Sequence, residues 1–167
     1  MEIAADIGPG LAKACIAGRV DGQLVDACDP IEKDVNVSII TAKDDEGLEI
    51  LRHSCAHLLG HAIKQLYPKA KMAIGPTIEN GFYYDIDMEP VSEDDFEKIE
   101  AEMKKAIKAK LPFKREVVSK SQALEFYKNE PYKLEMISEL EEGTISFYKH
   151  DDFTDLCRGP HLPHTGF

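Results

Sequence analysis

No apolar run in this 167-residue chain approaches the roughly 20 residues that a membrane span requires. The first residues lack the basic stretch of a secretory leader, with Glu2 and Asp6 standing in its place. Its four cysteines (Cys15, Cys28, Cys55, Cys157) are scattered, with no CxxC pair and none of the density of a disulfide-stapled secreted scaffold. Reduced thiols and a cytoplasmic location are therefore expected. Positive charge is also scarce. The formal net charge of −11 argues against a free-standing nucleic-acid binder, which needs a basic surface for phosphate. One stretch runs the other way: residues 98–120 hold eight basic and three acidic residues. It reads either as a face toward RNA backbone or as a solvated helix end. Internal repeats and low-complexity segments are lacking too. What remains is the composition of a soluble globular protein, long enough for one ordinary domain or two small ones.

The chain divides near residue 43. In residues 1–43, Gly8-Pro9-Gly10 punctuates and Leu11–Ala17 suits a short helix. A dinucleotide-type phosphate loop is excluded there: Lys13 occupies the third glycine position, and no apolar strand precedes the turn. Asp21-Gly22 is a hairpin signal, and Val35, Val37, Ile39 and Ile40 suggest a further strand. Residues 44–167 open on an acidic helix start and a helix from about Glu46 to Leu66, with Leu51, Leu58, Leu59, Ala62, Ile63 and Leu66 as its core face. Asn80-Gly81 marks a second hairpin between Met72–Ile78 and Phe82–Asp87. Ser92 with Asp95 caps a helix whose apolar stripe is Phe96, Ile99, Met103 and Ile107. A strand over Phe113–Val118, short helices over Ser119–Tyr127 and Lys133–Leu140, and strands over Thr144–Tyr148 and Phe153–Cys157 follow. The expected class is α+β, with helices packed on a mainly antiparallel sheet.

Two four-residue spacings carry chemistry. His53 and His57 lie four apart in the apolar helix and share a face, with His61 on the same stripe. Cys157 and His161 bracket Arg158-Gly159-Pro160 about a hundred residues later. If the fold joins the pairs, three imidazoles and a thiol converge. Such a group suits proton transfer at neutral pH, and equally suits zinc. Cys55, two residues after His53, should point elsewhere, and His61, His150 and His164 are weaker choices for direct catalysis.

The segments RHSCAHLLGHAIKQLYP (Arg52–Pro68), KMAIGPTIENGFYYDID (Lys71–Asp87) and FTDLCRGPHLPHTG (Phe153–Gly166), in this order, resemble the editing domain of threonyl-tRNA synthetases and, more distantly, that of alanyl enzymes. DIGPGLAKACIAGRVDGQLVDACDPI within the first 42 or so residues is similar to the TGS domain of bacterial-type threonyl enzymes. The resemblance implies a small β-grasp domain over 1–43, truncated at its N-terminus, and a two-layer α/β aminoacyl-tRNA editing domain over 44–167 with a mainly antiparallel sheet. It implies hydrolysis of seryl-tRNA(Thr), with His53 and Lys133 as catalytic residues. His57, Tyr84, Asp155, Cys157 and His161 would bind substrate, and no metal or other cofactor would take part. The expected partner is tRNA(Thr) carrying serine, with no membrane involved. The rest of the synthetase would be missing, so aminoacylation and ATP use are not expected. Two alternatives stay open: a zinc-dependent alanyl-type deacylase, and a non-catalytic RNA-binding or regulatory module.

Overall fold

The computed structural model describes residues 1–167. Two short helices, α1 (Glu2–Ile7) and α2 (Pro9–Ala14), lead into strands β1 (Cys15–Val20), β2 (Gln23–Asp26) and β3 (Val37–Thr41), ordered β2-β1-β3 and antiparallel. Asp21 and Gly22 turn the β1–β2 hairpin with φ of 47° and 88°, the left-handed pair that a two-residue turn between twisted strands requires. The helix expected to Ala17 stops at Ala14. Cys15, Ile16 and Ala17 instead enter the central strand, where all three are buried. Ile16, Ala17 and Ile40 share one core with Ile50 and Leu162, so this small sheet packs directly on later parts of the chain.

Helix α3 (Asp45–Leu66) carries acidic residues in its first turn, which favour the positive end of the helix dipole. Arg19 of β1 pairs with Glu46 there. Its buried side is Ile50, Ser54, His57, Leu58, His61 and Ala62. Leu51, expected in the core, is exposed, because it points away from that stripe. The following hairpin is broken into two short ladders, β4 (Lys71–Met72) with β7 (Ile86–Asp87) and β5 (Thr77–Ile78) with β6 (Gly81–Phe82). Ile78 pairs with Gly81, so the turn residues are Glu79 and Asn80, one position earlier than the Asn-Gly signal suggested.

Helix α4 (Glu93–Ala109) starts with the expected Ser92/Asp95 capping box. Ile99 packs with Ala62, Ile63 and Met72, and Met103 joins them. Phe96 and Ile107 are exposed, so the contacting stripe is narrower than the apolar periodicity suggested. Lys98, Lys104 and Lys105 pair with Asp95, Glu100 and Glu102 on α4 itself, which engages three of the eight basic residues of the stretch locally.

Strand β8 (Lys114–Val117), helices α5 (Lys120–Phe126) and α6 (Pro131–Glu139), and strands β9 (Ser146–His150) and β10 (Phe153–Leu156) complete the chain. The three strands form an antiparallel sheet ordered β10-β9-β8. The architecture is α+β, with its antiparallel pairing divided among four small sheets.

Under α5 and α6, Val118, Ala123, Tyr127, Ile137, Ile145 and Phe147 make a closed cluster. Ile137 lies one turn beyond Lys133 on α6, so this cluster also sets where the Lys133 side chain enters the fold. Ile137→Ala is expected to lower stability by about 2–5 kcal/mol through lost burial and a residual cavity. Urea unfolding checks this, and a shift under about 0.5 kcal/mol, the range of surface substitutions, would refute the packing described.

Candidate active site

A cavity of about 550 Å³ opens between α3, α6, the segment from Ala73 to Pro76, and the end of β10. His53, His57, Tyr84, Lys133, Asp155 and Cys157 all line it. The α3 stripe supplies the two histidines, because a four-residue step returns a side chain to the same helix face. Strand alternation turns Asp155 and Cys157 toward one side, and the first turn of α6 brings Lys133 in from above. His161 does not line the cavity. It lies behind Cys157, 1% exposed, with Nε2 3.2 Å from the Cys157 Sγ.

The two distant pairs therefore meet. Cys157 Sγ is also 3.2 Å from His53 Nε2. Ser54 Oγ accepts the Leu162 backbone N–H at 3.0 Å and lies 2.9 Å from His161 Nδ1. The backbone N–H of Gly159 donates to Cys157 Sγ at 3.3 Å. Gly159 has φ 70°, and a Cβ there would sit 1.9 Å from the Tyr148 hydroxyl, so only glycine fits this turn.

On the opposite wall Lys133 Nζ makes an ion pair with Asp155 Oδ1 at 2.7 Å, the residues being 2% and 7% exposed. Tyr84 donates its hydroxyl to Asp155 Oδ2 at 2.6 Å, and the Leu156 backbone N–H donates to Oδ1 at 2.8 Å. Three donors thus satisfy a carboxylate taken out of water, as a buried charge requires. Asp155 is occupied as the hub of this wall, with Lys133 as its ionic partner. Tyr84 is a wall residue with its hydroxyl engaged, and burial beside the Asp155 charge pushes its pKa upward.

Burial controls protonation on the histidine side. It lowers the His53 pKa, opposed by the nearby Pro160 backbone and by the Asp155 charge. Burial holds His57 and His161 well below the ordinary value, helped by neighbouring histidines. Burial raises the Cys157 pKa to about 12, so the group is a thiol at neutral pH and a poor nucleophile. His57 Nε2 is buried without a hydrogen-bond partner.

His53, Cys157 and His161 bring three donor atoms within 4.8 Å of one another. Two imidazoles and a sulfur are a suitable donor set for zinc, and the Ser54 contact would orient His161. In a tetrahedral zinc site, bond lengths of about 2.3 Å to sulfur and 2.0 Å to nitrogen put S and N about 3.5 Å apart. Both separations here are 3.2 Å, as in a thiol–imidazole hydrogen bond.

His61 and His150, set aside as catalysts on sequence grounds, form a buried pair behind His57, with His61 Nδ1 2.9 Å from His150 Nε2. His164 packs near Phe167, away from the cavity. Cys55 does not line the cavity. Sequence reasoning missed Ser54, Tyr148 and Asp26. Asp26 Oδ2 accepts the Tyr148 hydroxyl at 2.6 Å, and Asp26 Oδ1 accepts the His161 backbone N–H at 2.9 Å. Ser54 had one available signal, its place on α3 next to His53. Asp26 had none, since its partners lie more than a hundred residues away.

Residues 1–41 match the TGS domain, and residues 145–167 match the domain described as the threonyl and alanyl tRNA synthetase second additional domain. Over 165 residues the chain is 59% identical to a threonine–tRNA ligase of Desulfatibacillum aliphaticivorans, and over 166 residues 52% identical to one of Desulfosudis oleivorans. Along nearly its whole length the chain is thus similar to part of a threonine–tRNA ligase. Each alignment covers 99% of this chain and 26% of the relative, so the chain spans about a quarter of the length of the curated relatives it matches. No helix is long and apolar enough to cross a membrane.

Two predictions follow from the burial of these charges. Asp155→Asn leaves the Lys133 ammonium buried without a counter-charge and is expected to cost about 3–5 kcal/mol, whereas a Lys133→Met/Asp155→Leu double variant should recover most of that stability. Double-mutant analysis of urea unfolding reads this; additive losses would show the pair to be uncoupled. The second concerns pH. His150 is lowered from 6.5 to about 4 by burial, and His57 and His161 are also lowered. The unfolded chain therefore binds protons first as pH falls below 6.5, so stability is full above that value and declines toward pH 4. The urea midpoint is expected to drop between about pH 7 and about pH 5, and an unchanged midpoint would contradict neutral buried histidines.

Proposed function

We propose that this chain hydrolyses the ester joining serine to the terminal adenosine of tRNA(Thr), as the editing part of a cytoplasmic threonyl-tRNA synthetase. The observation that carries this reading is a single cavity with the His53 imidazole on one wall and the buried Lys133–Asp155 pair on the other. Ester hydrolysis needs an activated water, a cation or donors for the tetrahedral oxyanion, and a proton for the leaving ribose oxygen.

The need for such a site is physical. Serine is threonine less one methyl, and a missing methyl is worth only about 1–3 kcal/mol in a binding pocket. A second cavity can sort in the opposite sense, admitting serine and excluding the added methyl. In the proposed mechanism His53 orients or deprotonates the water, directly or through the ribose hydroxyl. The Lys133 ammonium faces the developing oxyanion, and Asp155 holds it there. Tyr84 braces Asp155. His57 and Cys157 shape the floor, with His161 behind Cys157, and the thiol form of Cys157 makes it a hydrogen-bond partner and not a nucleophile. His53, Cys157 and His161 would hold a zinc ion if one binds, and such an ion would supply Lewis-acid polarisation.

The test is ester loss from seryl-tRNA(Thr) and threonyl-tRNA(Thr) incubated with the 167-residue chain. Selective loss of serine is expected, and His53→Ala should slow it by about 10²–10⁴-fold, the range for a positioned general base. Alanine keeps helix propensity, so the fold should survive. Binding without turnover would favour a non-catalytic module. Stoichiometric zinc whose chelation abolishes hydrolysis would replace the metal-free mechanism with the alanyl-type one.

A further inference from the structure

The segment that carries Cys157 and His161 is fastened by a residue from the other end of the chain. Asp26 closes strand β2, yet both its carboxylate oxygens are used 122 and 135 positions away, on Tyr148 and on the His161 backbone. Tyr148 lies in β9, 1% exposed, and its ring packs edge-on against the His161 imidazole with centroids 4.6 Å apart. Its hydroxyl fills the space that a side chain at position 159 would need. The turn 158–160 is thus held between Tyr148 below and the Cys157 and His161 contacts at its ends, and Asp26 ties Tyr148 to His161. Ser54 fastens the same segment from α3, through Leu162 N–H and His161 Nδ1. Asp26 completes the clamp from the TGS side.

We propose that Asp26 is a positioning residue for the cavity: its carboxylate sets the place of His161, and through His161 that of Cys157 and His53. The TGS segment is then part of the site's support. This rests on the hydrolytic reading above for its kinetic consequence. Its structural consequence, a fixed Cys157, stands without that reading.

The geometry makes the chemistry of position 26 specific. One oxygen must accept a backbone N–H and the other must meet a phenol hydroxyl. Asparagine can serve both, since its Oδ1 still accepts from His161 while its amide donates to a Tyr148 oxygen turned to accept. Alanine serves neither and leaves a buried N–H and a buried hydroxyl unpaired.

The experiment uses the full 167-residue chain with Asp26→Ala, Asp26→Asn and Tyr148→Phe, each checked for folding by circular dichroism. Two quantities are read: kcat and KM for seryl-tRNA(Thr), and the rate of Cys157 alkylation by iodoacetamide, resolved from the other cysteines by peptide mass spectrometry. Asp26→Ala is expected to lower kcat by roughly 10- to 100-fold, the effect of a misplacement near 1 Å, with KM changed much less. It is also expected to speed Cys157 alkylation, while Asp26→Asn restores both toward wild type. If Asp26→Ala fails to fold, Tyr148→Phe, which keeps the ring and loses one bond, decides by the same two readouts. Wild-type kcat and wild-type Cys157 alkylation in folded Asp26→Ala would overturn the proposal, as would a loss that Asp26→Asn does not restore. If the wild-type chain shows no hydrolysis, the functional reading fails, and alkylation alone decides the anchor.

Discussion

The site depends on one contact between distant parts of the chain: the Ser54 hydroxyl on α3 meeting the His161 ring and the Leu162 N–H, 107 and 108 positions on. It is buried, so the competing partner is not water but nothing, and the cost of leaving either group unpaired far exceeds the modest net gain of an exposed hydrogen bond. The contact draws the turn after β10 onto α3 and sets Cys157 between two imidazoles. Leu162 then extends the core formed by Ile16, Ala17, Ile40 and Ile50. Polar and apolar burial agree on one placement, which is how a sequence singles out one arrangement from its competitors.

The second wall follows a different logic. A lysine and an aspartate taken out of water cost several kcal/mol each, and a hydrophobic pair of the same size would stabilise the fold as well or better. Their retention makes sense if the ammonium has work to do in the cavity. Tyr84 and the Leu156 N–H saturate Asp155 from the other side, so the carboxylate cannot swing away, and Lys133 is left with Asp155 as its anchor. Helix α6 is in turn held by Ile137 in a closed apolar cluster. A cation fixed in a low-dielectric wall need not reorganise when negative charge develops, which is where electrostatic stabilisation is largest.

Much of this was legible in the sequence, for local reasons. The α3 helix, its histidine stripe, the Asp21-Gly22 hairpin and the Ser92/Asp95 cap depend on spacings of a few residues, and all stand where those spacings put them. The misreadings have local causes as well. Cys15–Ala17 continue a helix-compatible run, and pairing with the neighbouring strands β2 and β3 draws them into the sheet. Phe96 and Ile107 keep the helical period, but α3 covers only part of the α4 face. For the site, periodicity alone offered His53 and His57. Lys133, Tyr84 and Asp155 came from resemblance, because nothing near them in the chain distinguishes them from a surface lysine, a core tyrosine or a turn aspartate. Asp26 could not be found either way, since its role exists only once β2, β9 and the turn at 159 are packed together.

If the cavity sorts amino acids by one methyl, as proposed, that task sets a demand on rigidity that unites these features. A cavity wall that yields by a fraction of an ångström admits threonine and serine alike, since the steric penalty disappears with the movement. The walls here are braced from outside the cavity: Asp155 by Tyr84, His161 by Ser54 and by the Asp26–Tyr148 pair, and α6 by the Ile137 cluster. Each brace ties residues from separate elements, so no single element can relax alone. A selective second cavity would therefore owe its selectivity less to the residues that touch the amino acid than to the buried polar contacts behind them. The same contacts hold the histidines neutral, because a wall that cannot open also cannot admit the water a protonated imidazole would need.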